Sequence, residues 1–141
     1  MLPLRAEELT SETVHAWLQE RGQSIRDADL EKLASVVDLT ELDLTACGSI
    51  TDKGVAHLLS LSGLKSLNLS SCRRLTPGVF DTLRQMKSLE SFSAEQVGWA
   101  NDISPLADLP QLTSLSLARN TSFRGQGLRE LTGLTHLDLA C

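Results

Sequence analysis

Five segments of this chain repeat one pattern, and that self-similarity constrains the fold more than any other feature. Leu39-Thr-Glu-Leu42-Asp-Leu44, Leu64-Lys-Ser-Leu67-Asn-Leu69, Leu89-Glu-Ser-Phe92-Ser-Ala94, Leu112-Thr-Ser-Leu115-Ser-Leu117 and Leu134-Thr-His-Leu137-Asp-Leu139 follow one another at spacings of 25, 25, 23 and 22 residues. A fixed period of about 20 to 50 residues marks a chain of stacked coils, because a single such unit cannot bury its apolar face alone. Within each segment the last two apolar positions sit two apart around a polar residue, the period of a strand with one buried and one wet face. Short parallel strands follow. Leucine supplies 28 of the 141 residues, a bias that an ordinary mixed domain has no reason to show.

Between the strands, residues 52–59 and 77–86 place Val55, Leu58 and Leu59, and Val79, Leu83 and Met86, at helical spacing. These read as helices on the convex side, with Asp52 and Thr76 able to accept from free N–H groups at a helix start and Pro77 suited to the first helical position. Ser104-Pro105 repeats that signal, but only about six residues separate Pro105 from the next strand, which leaves room for a single turn or a 3₁₀ piece. Gly125 and Gly127 make the fourth connection as compact, with a short turn from Leu128 to Thr132. The convex helices therefore shorten toward the C-terminus.

Upstream, Ser24-Ile25-Arg-Asp27 parallels Ser49-Ile50-Thr-Asp52, so residues 24–38 read as half of a degenerate repeat. Leu9, Val14, Trp17 and Leu18 fall near helical spacing after Thr10-Ser11 and before Gly22, which predicts an amphipathic helix over 11–21 covering the open edge of the first repeat. The chain thus divides into a cap with its degenerate repeat, 1–38, and repeats over 39–141, the last incomplete. A solenoid end without a cap exposes its apolar cross-section. The stop at Cys141 accordingly predicts a fragment, a lost downstream region, or an edge that a partner contacts.

The run Cys47-Gly-Ser-Ile50-Thr51-Asp52-Lys-Gly54-Val55-Ala-His-Leu58 resembles the cysteine-containing leucine-rich repeat of F-box ubiquitin ligase receptors and ribonuclease-inhibitor-like proteins, and Cys72-Arg-Arg-Leu75-Thr76-Pro-Gly78-Val79 is a second copy. Residues 100–117, with Ile103-Ser104-Pro105-Leu106 and Leu109-Pro-Gln-Leu112, look like the compact repeat of bacterial internalins. Leu2-Pro3 resembles an F-box opening, although the segment before the first strand is too short for a complete F-box. The resemblance implies a right-handed α/β leucine-rich repeat solenoid with a parallel concave sheet, used as a recognition scaffold whose partner varies.

Net charge −5 argues against a nucleic-acid partner. No apolar run reaches the roughly 18 residues needed to cross a bilayer, and the first residues lack the layout of a secretion signal, so a cytoplasmic location with no membrane partner is expected. Three cysteines, at 47, 72 and 141, form no disulfide framework and match no zinc spacing. Cys47 and Cys72 occupy the ninth place of their lines, where such repeats put Asn or Cys to bond or pack beneath the loop, and Asn120 fills that place in line four. His15, His57 and His136 fall on different elements and assemble no nucleophile with its base, so no enzyme and no cofactor is expected.

Alternation instead points to a binding surface, the polar positions of the strands. Glu41, Asp43, Asn68, Glu95, His136 and Asp138 lie on it, with Lys65 and Arg119 nearby, and the balance is mildly acidic, which favours a protein partner with a polar or basic surface. Trp99 sits beside line three, where Ala94, Val97 and Ala100 replace larger or hydrogen-bonding residues. Its indole either fills that gap or stands at the edge of the face as a binding anchor. The function expected is a non-catalytic protein-interaction module, with two alternatives: the substrate-recognition part of a larger enzyme such as a ubiquitin ligase receptor or bacterial effector, and a dedicated inhibitor.

Overall fold

A computed structural model describes residues 9–141, so Leu2-Pro3 and the first part of the expected cap lie outside the described residues. The chain runs α1 (Val14–Arg21), α2 (Asp27–Leu33), β1 (Glu41–Asp43), α3 (Asp52–Ala56), β2 (Ser66–Asn68), α4 (Val79–Leu83), β3 (Ser91–Ser93), β4 (Ser114–Ser116) and β5 (His136–Asp138). Short 3₁₀ pieces lie at Gly22–Ser24, His57–Ser60, Ser104–Asp108 and Leu128–Glu130. The five strands form one sheet in sequence order, every pair parallel. Each repeat thus adds one strand beside the last and returns across the convex side.

The register is the one the repeats dictate. Leu42, Leu67, Phe92, Leu115 and Leu137 stand side by side in one row. Behind that row Leu44, Leu69, Ala94 and Leu117 close a continuous spine with Leu64, Leu89 and Leu112, and the convex helices seal it with Val55, Leu58, Val79 and Leu83. Among the described residues the spine opens at its last coil: Leu137 and Leu139 are 46% and 37% exposed, where their counterparts Leu115 and Leu117 are each 1% exposed.

The convex side shortens along the chain as expected, from α3 with its 3₁₀ extension, through α4, to 3₁₀ pieces of five and then three residues. The expected caps are corrected. Asp52 is the first residue of α3 and caps nothing in its own helix; its carboxylate crosses to the next repeat, accepting the Thr76 N–H at 2.9 Å and the Thr76 hydroxyl. Asp27 does the same one repeat earlier, taking the Thr51 N–H at 2.7 Å and hydroxyl at 2.5 Å. Pro77 lies before α4, which starts at Val79, and the Thr76 hydroxyl accepts the Gly78 N–H at 3.1 Å. The Asp27 and Asp52 carboxylates thus tie each coil to the next.

Helix α1 begins three residues later than the 11–21 expected, because the Thr10 carbonyl first closes a turn with the N–H groups of Thr13 and Val14. Gly22 ends it at φ 52°, as its position predicts. Trp17 is buried, with the Arg21 guanidinium 4.6 Å from its ring, and its indole N–H meets no acceptor among the described residues.

Candidate protein-binding face

The polar positions of the strands form two rows across the sheet. One runs Glu41, Ser66, Ser91, Ser114, His136; the other runs Asp43, Asn68, Ser93, Ser116, Asp138. Their centre is made of short, half-buried side chains, and their ends are exposed, charged or ionisable groups. A sheet built by one-strand-per-repeat stacking holds these groups at about 4.8 Å spacing with little freedom left to lose on binding.

Several of the expected partner-binding residues also work within the fold. The Asp43 carboxylate accepts the Thr45 N–H at 2.9 Å and hydroxyl at 2.6 Å, Asn68 Oδ1 accepts the Ser70 N–H at 2.9 Å, and Asp138 accepts the Ala140 N–H at 2.9 Å. In each case a side chain bonds its own backbone two residues on and turns the chain out of the strand. One oxygen of Asp43 and of Asp138 is committed to this, and the second remains for solvent or a partner. Glu95 is half-buried and takes the Ser116 hydroxyl at 2.7 Å, which locks it across the sheet. Ser70 and Ser93 bond each other at 3.0 Å.

The structure decides between the two readings of Trp99 and locates Arg119. Trp99 is 5% exposed and offers no face to a partner: its ring meets Phe80 edge-on at 5.6 Å between centroids, and its indole N–H donates to the Cys72 carbonyl at 3.1 Å. The gap left by Ala94, Val97 and Ala100 takes the indole, because an unfilled void of that size costs more than the side-chain entropy of ordering it. Arg119 is exposed but lies past β4 in a left-handed turn at φ 61°, where it lines a loop hollow of about 380 Å³ with Arg73, Gln96 and Thr121. It therefore belongs to the loop edge. Lys65 pairs with Glu90 at 3.5 Å, an exposed contact of little energetic weight.

The cysteines serve the fold. The Cys72 thiol donates to the Leu44 carbonyl of the preceding repeat at 3.1 Å. Asn120, at the same place in its own repeat, donates to the Ala94 and Leu117 carbonyls at 2.7 and 2.9 Å and accepts the Val97 N–H at 2.8 Å. Desolvation by burial, with the charge of Asp43, pushes the Cys47 thiol up to about 11. Burial first, and the neighbouring Cys47, push Cys72 up to about 12. Such thiols stay protonated and unreactive at neutral pH. His15, His57 and His136 stand on α1, a 3₁₀ piece and β5.

Sequence reasoning missed the inter-repeat bridges of Asp27 and Asp52, although the 25-residue offset between Asp27 and Asp52 carried the signal. It also missed Asp102, which joins the third and fourth repeats through Gln126 at 3.1 Å; the Ser104 hydroxyl and N–H hold its carboxyl below the usual carboxylate range.

Comparison with known proteins bears on the whole arrangement. The family described as Leucine Rich repeat matches residues 38–59. Among the curated proteins none matches the chain. Among solved structures, the internalin InlF of Listeria monocytogenes is similar at 27% identity and a TM-score of 0.58, over 77% of this chain and 30% of that one. Internalin C2 of the same bacterium is similar at 27% identity and a TM-score of 0.51, over 77% of this chain and 55% of that one. TLR13, solved as a complex with ssRNA13, shares the fold at 20% identity and a TM-score of 0.59, over 94% of this chain and 20% of that one. The chain thus spans less than two thirds of the length of each. In-register parallel strands, one per coil, over a leucine spine sealed by convex helices, together with these likenesses, give the chain the fold of an α/β leucine-rich repeat solenoid.

Proposed function

We propose that the protein is a non-catalytic recognition module that binds a protein partner through the polar face of its sheet and the adjoining loops. The observation that carries this reading is the pair of in-register rows, short hydroxyl and amide side chains in the middle and Glu41, Asp43 and Asp138 at the ends. Carboxylates at the ends of a serine-rich ribbon suit a partner that brings hydrogen-bonding groups to the centre and basic residues to the margins. Five strands of three residues cover only roughly 240 Å², against about 800 Å² per partner in a standard interface. Loops on the Arg73 and Arg119 side therefore share the contact.

The internalins and TLR13 use this fold in longer chains, and a role as the recognition part of a larger assembly fits the same face. The cysteine-containing pattern of residues 47–58 favours a receptor of the ubiquitin ligase kind for that larger assembly, and the compact pattern of 100–117 favours a bacterial one. Free thiols at Cys47, Cys72 and Cys141 suit the cytoplasm. Among the described residues, no helix is long and apolar enough to cross a membrane.

The test is affinity capture with the wild-type chain and with a variant carrying Asp43→Arg and Asn68→Arg, both shown to fold by their urea midpoints. Loss of a captured protein with the variant supports the face. Equal capture by both overturns it.

A further inference from the structure

Among the described residues the sheet ends at β1, and the pairing pattern assigns the groups on its outer edge. Lys65 and Ser66 donate their N–H groups to the Thr40 carbonyl at 2.8 and 3.0 Å, and Leu44 donates to the Asn68 carbonyl at 2.9 Å. In a parallel ladder alternate residues turn their backbone groups to the same neighbour. Thr40, Leu42 and Leu44 therefore face β2, and Glu41 and Asp43 turn their N–H and C=O groups outward. Along that outer edge runs a hollow of about 520 Å³, walled on one side by residues 39–43 and on the other by Val14, His15 and Leu18 of α1. Its volume lies within the range of about 300 to 1,000 Å³ typical of ligand sites. The cap helix stands beside the edge strand without pairing it.

We propose that this edge takes an extended, lysine- or arginine-bearing segment of the protein partner as a sixth strand beside β1. The inference rests on the recognition role proposed above and names where the partner's basic segment enters. An open strand edge is a template for backbone pairing, and side-chain contacts at every second residue give the selection. Here those contacts are acidic. The Glu41 side chain is exposed and bonds no other described residue, and Asp43 keeps one oxygen beyond the one that Thr45 uses. Alternate side chains of an added strand share one face of the sheet with Glu41 and Asp43, so two basic residues separated by one apolar residue meet both carboxylates while the residue between them turns toward Val14 and Leu18. His15, bonded to Gln19 at 3.0 Å, closes the far side of the hollow. A second copy of the chain is a poorer occupant: pairing β1 with β1 sets Glu41 and Asp43 against their own equivalents, and like charges directly across a strand pair are destabilising.

The experiment uses the capped peptide Lys-Val-Lys-Val-Lys, its Glu-Val-Glu-Val-Glu counterpart, and two N-methylated forms in which alternate backbone nitrogens are blocked in one phase or the other. The lysine peptide is expected to slow hydrogen exchange of the Glu41 and Asp43 amides about ten-fold or more. One methylation phase should cost about ten-fold or more in Kd, with the other tolerated, because only one phase turns its N–H groups to β1. Glu41→Gln should weaken binding, and Glu31→Gln, exposed on α2 away from the face, should not. Unchanged exchange at Glu41 and Asp43, equal effects of the two methylation phases, or equal binding of the glutamate peptide overturns the proposal. Protection of the same amides that rises with protein concentration in the absence of peptide also overturns it, in favour of self-pairing. Binding lost with Ser91→Arg, at the centre of the face, yet indifferent to methylation overturns the edge strand and leaves the face reading intact.

Discussion

The two halves of the solenoid meet the same stacking requirement with different outer walls. Residues 39–88 come in steps of 25 and carry α3 and α4, whereas the following steps of 23 and 22 carry 3₁₀ pieces alone. The strand side takes no notice: Leu42, Leu67, Phe92 and Leu115 keep one register throughout. A 3₁₀ helix rises about 2.0 Å per residue against about 1.5 Å for an α-helix, so it crosses the same distance with fewer residues. Every deletion between repeats is thus absorbed on the convex side, and the polar face of the sheet keeps its spacing. The halves also differ at the ninth position. Cys72 makes one thiol bond to the preceding repeat, whereas Asn120 makes three bonds, two of them to the preceding repeat. The heavier load on Asn120 follows from Val97, which sits at the same place in the third repeat with no side-chain donor. The Trp99 indole supplies the missing link to the second repeat through the Cys72 carbonyl.

Breaking the shared spine should cost most and should not distinguish the halves. Leu67→Ala and Leu115→Ala are each expected to lose about 2–5 kcal/mol of stability, read as a fall in urea midpoint; a large difference between them would mean the spine is not continuous. The ninth position should separate the halves. Asn120→Ala leaves the buried Val97 N–H and Ala94 carbonyl without partners and should cost about 2–3 kcal/mol, whereas Cys72→Ala should cost about half as much; equal losses would show that the ladder bonds are interchangeable.

Gly54→Ala probes the bridges of the first half, since a Cβ there would stand 2.2 Å from Asp27 Oδ1. A loss of about 1–3 kcal/mol is expected, and Thr51→Val should then add little to it because both act on one bridge.

Alkaline pH should act on the first half alone. The folded thiols hold their protons up to about 11 at Cys47 and about 12 at Cys72, whereas an unfolded thiol releases its proton near pH ~8.5. Their contribution is therefore present in full below that value and is lost as pH rises through the two folded values. Hydrogen exchange should show β1 and β2 loosening before β4, and the double Cys47→Ala, Cys72→Ala variant should lose this asymmetry. At the bottom of the scale, Ser91→Ala should change stability by less than about 0.5 kcal/mol while weakening partner binding.

Most of the fold was legible because the repeat states it five times. The Leu-x-x-Leu-x-Leu period gave strand positions to the residue, and the shrinking connections announced the change from α to 3₁₀ on the convex side. The site was legible only as a list of outward positions. Alternation says that Asp43, Asn68 and Asp138 point away from the spine, but not that each also bonds its own backbone two residues later. Trp99 was undecidable for a physical reason: a large side chain next to a run of small ones fits either a gap or an anchor, and only the distance to Phe80 and the carbonyl of Cys72 separates the two. Arg119 sits three positions past β4, and a left-handed turn at that position carries it to the loop edge. The same turn recurs at Ala46, Ser71 and Gln96, none of them a glycine, so no residue type advertised it.

What the amino-acid order determined by itself is the coil: which residues face inward, how many coils there are and how much chain each may use, because the apolar period is local and every copy repeats it. What the tertiary structure alone decided is what lies between coils: the aspartate bridges, the thiol and asparagine bonds to preceding carbonyls, the burial of Trp99, and the placing of the cap helix beside the outer edge of β1. Those contacts join residues more than twenty positions apart, and their geometry exists only once neighbouring coils have stacked.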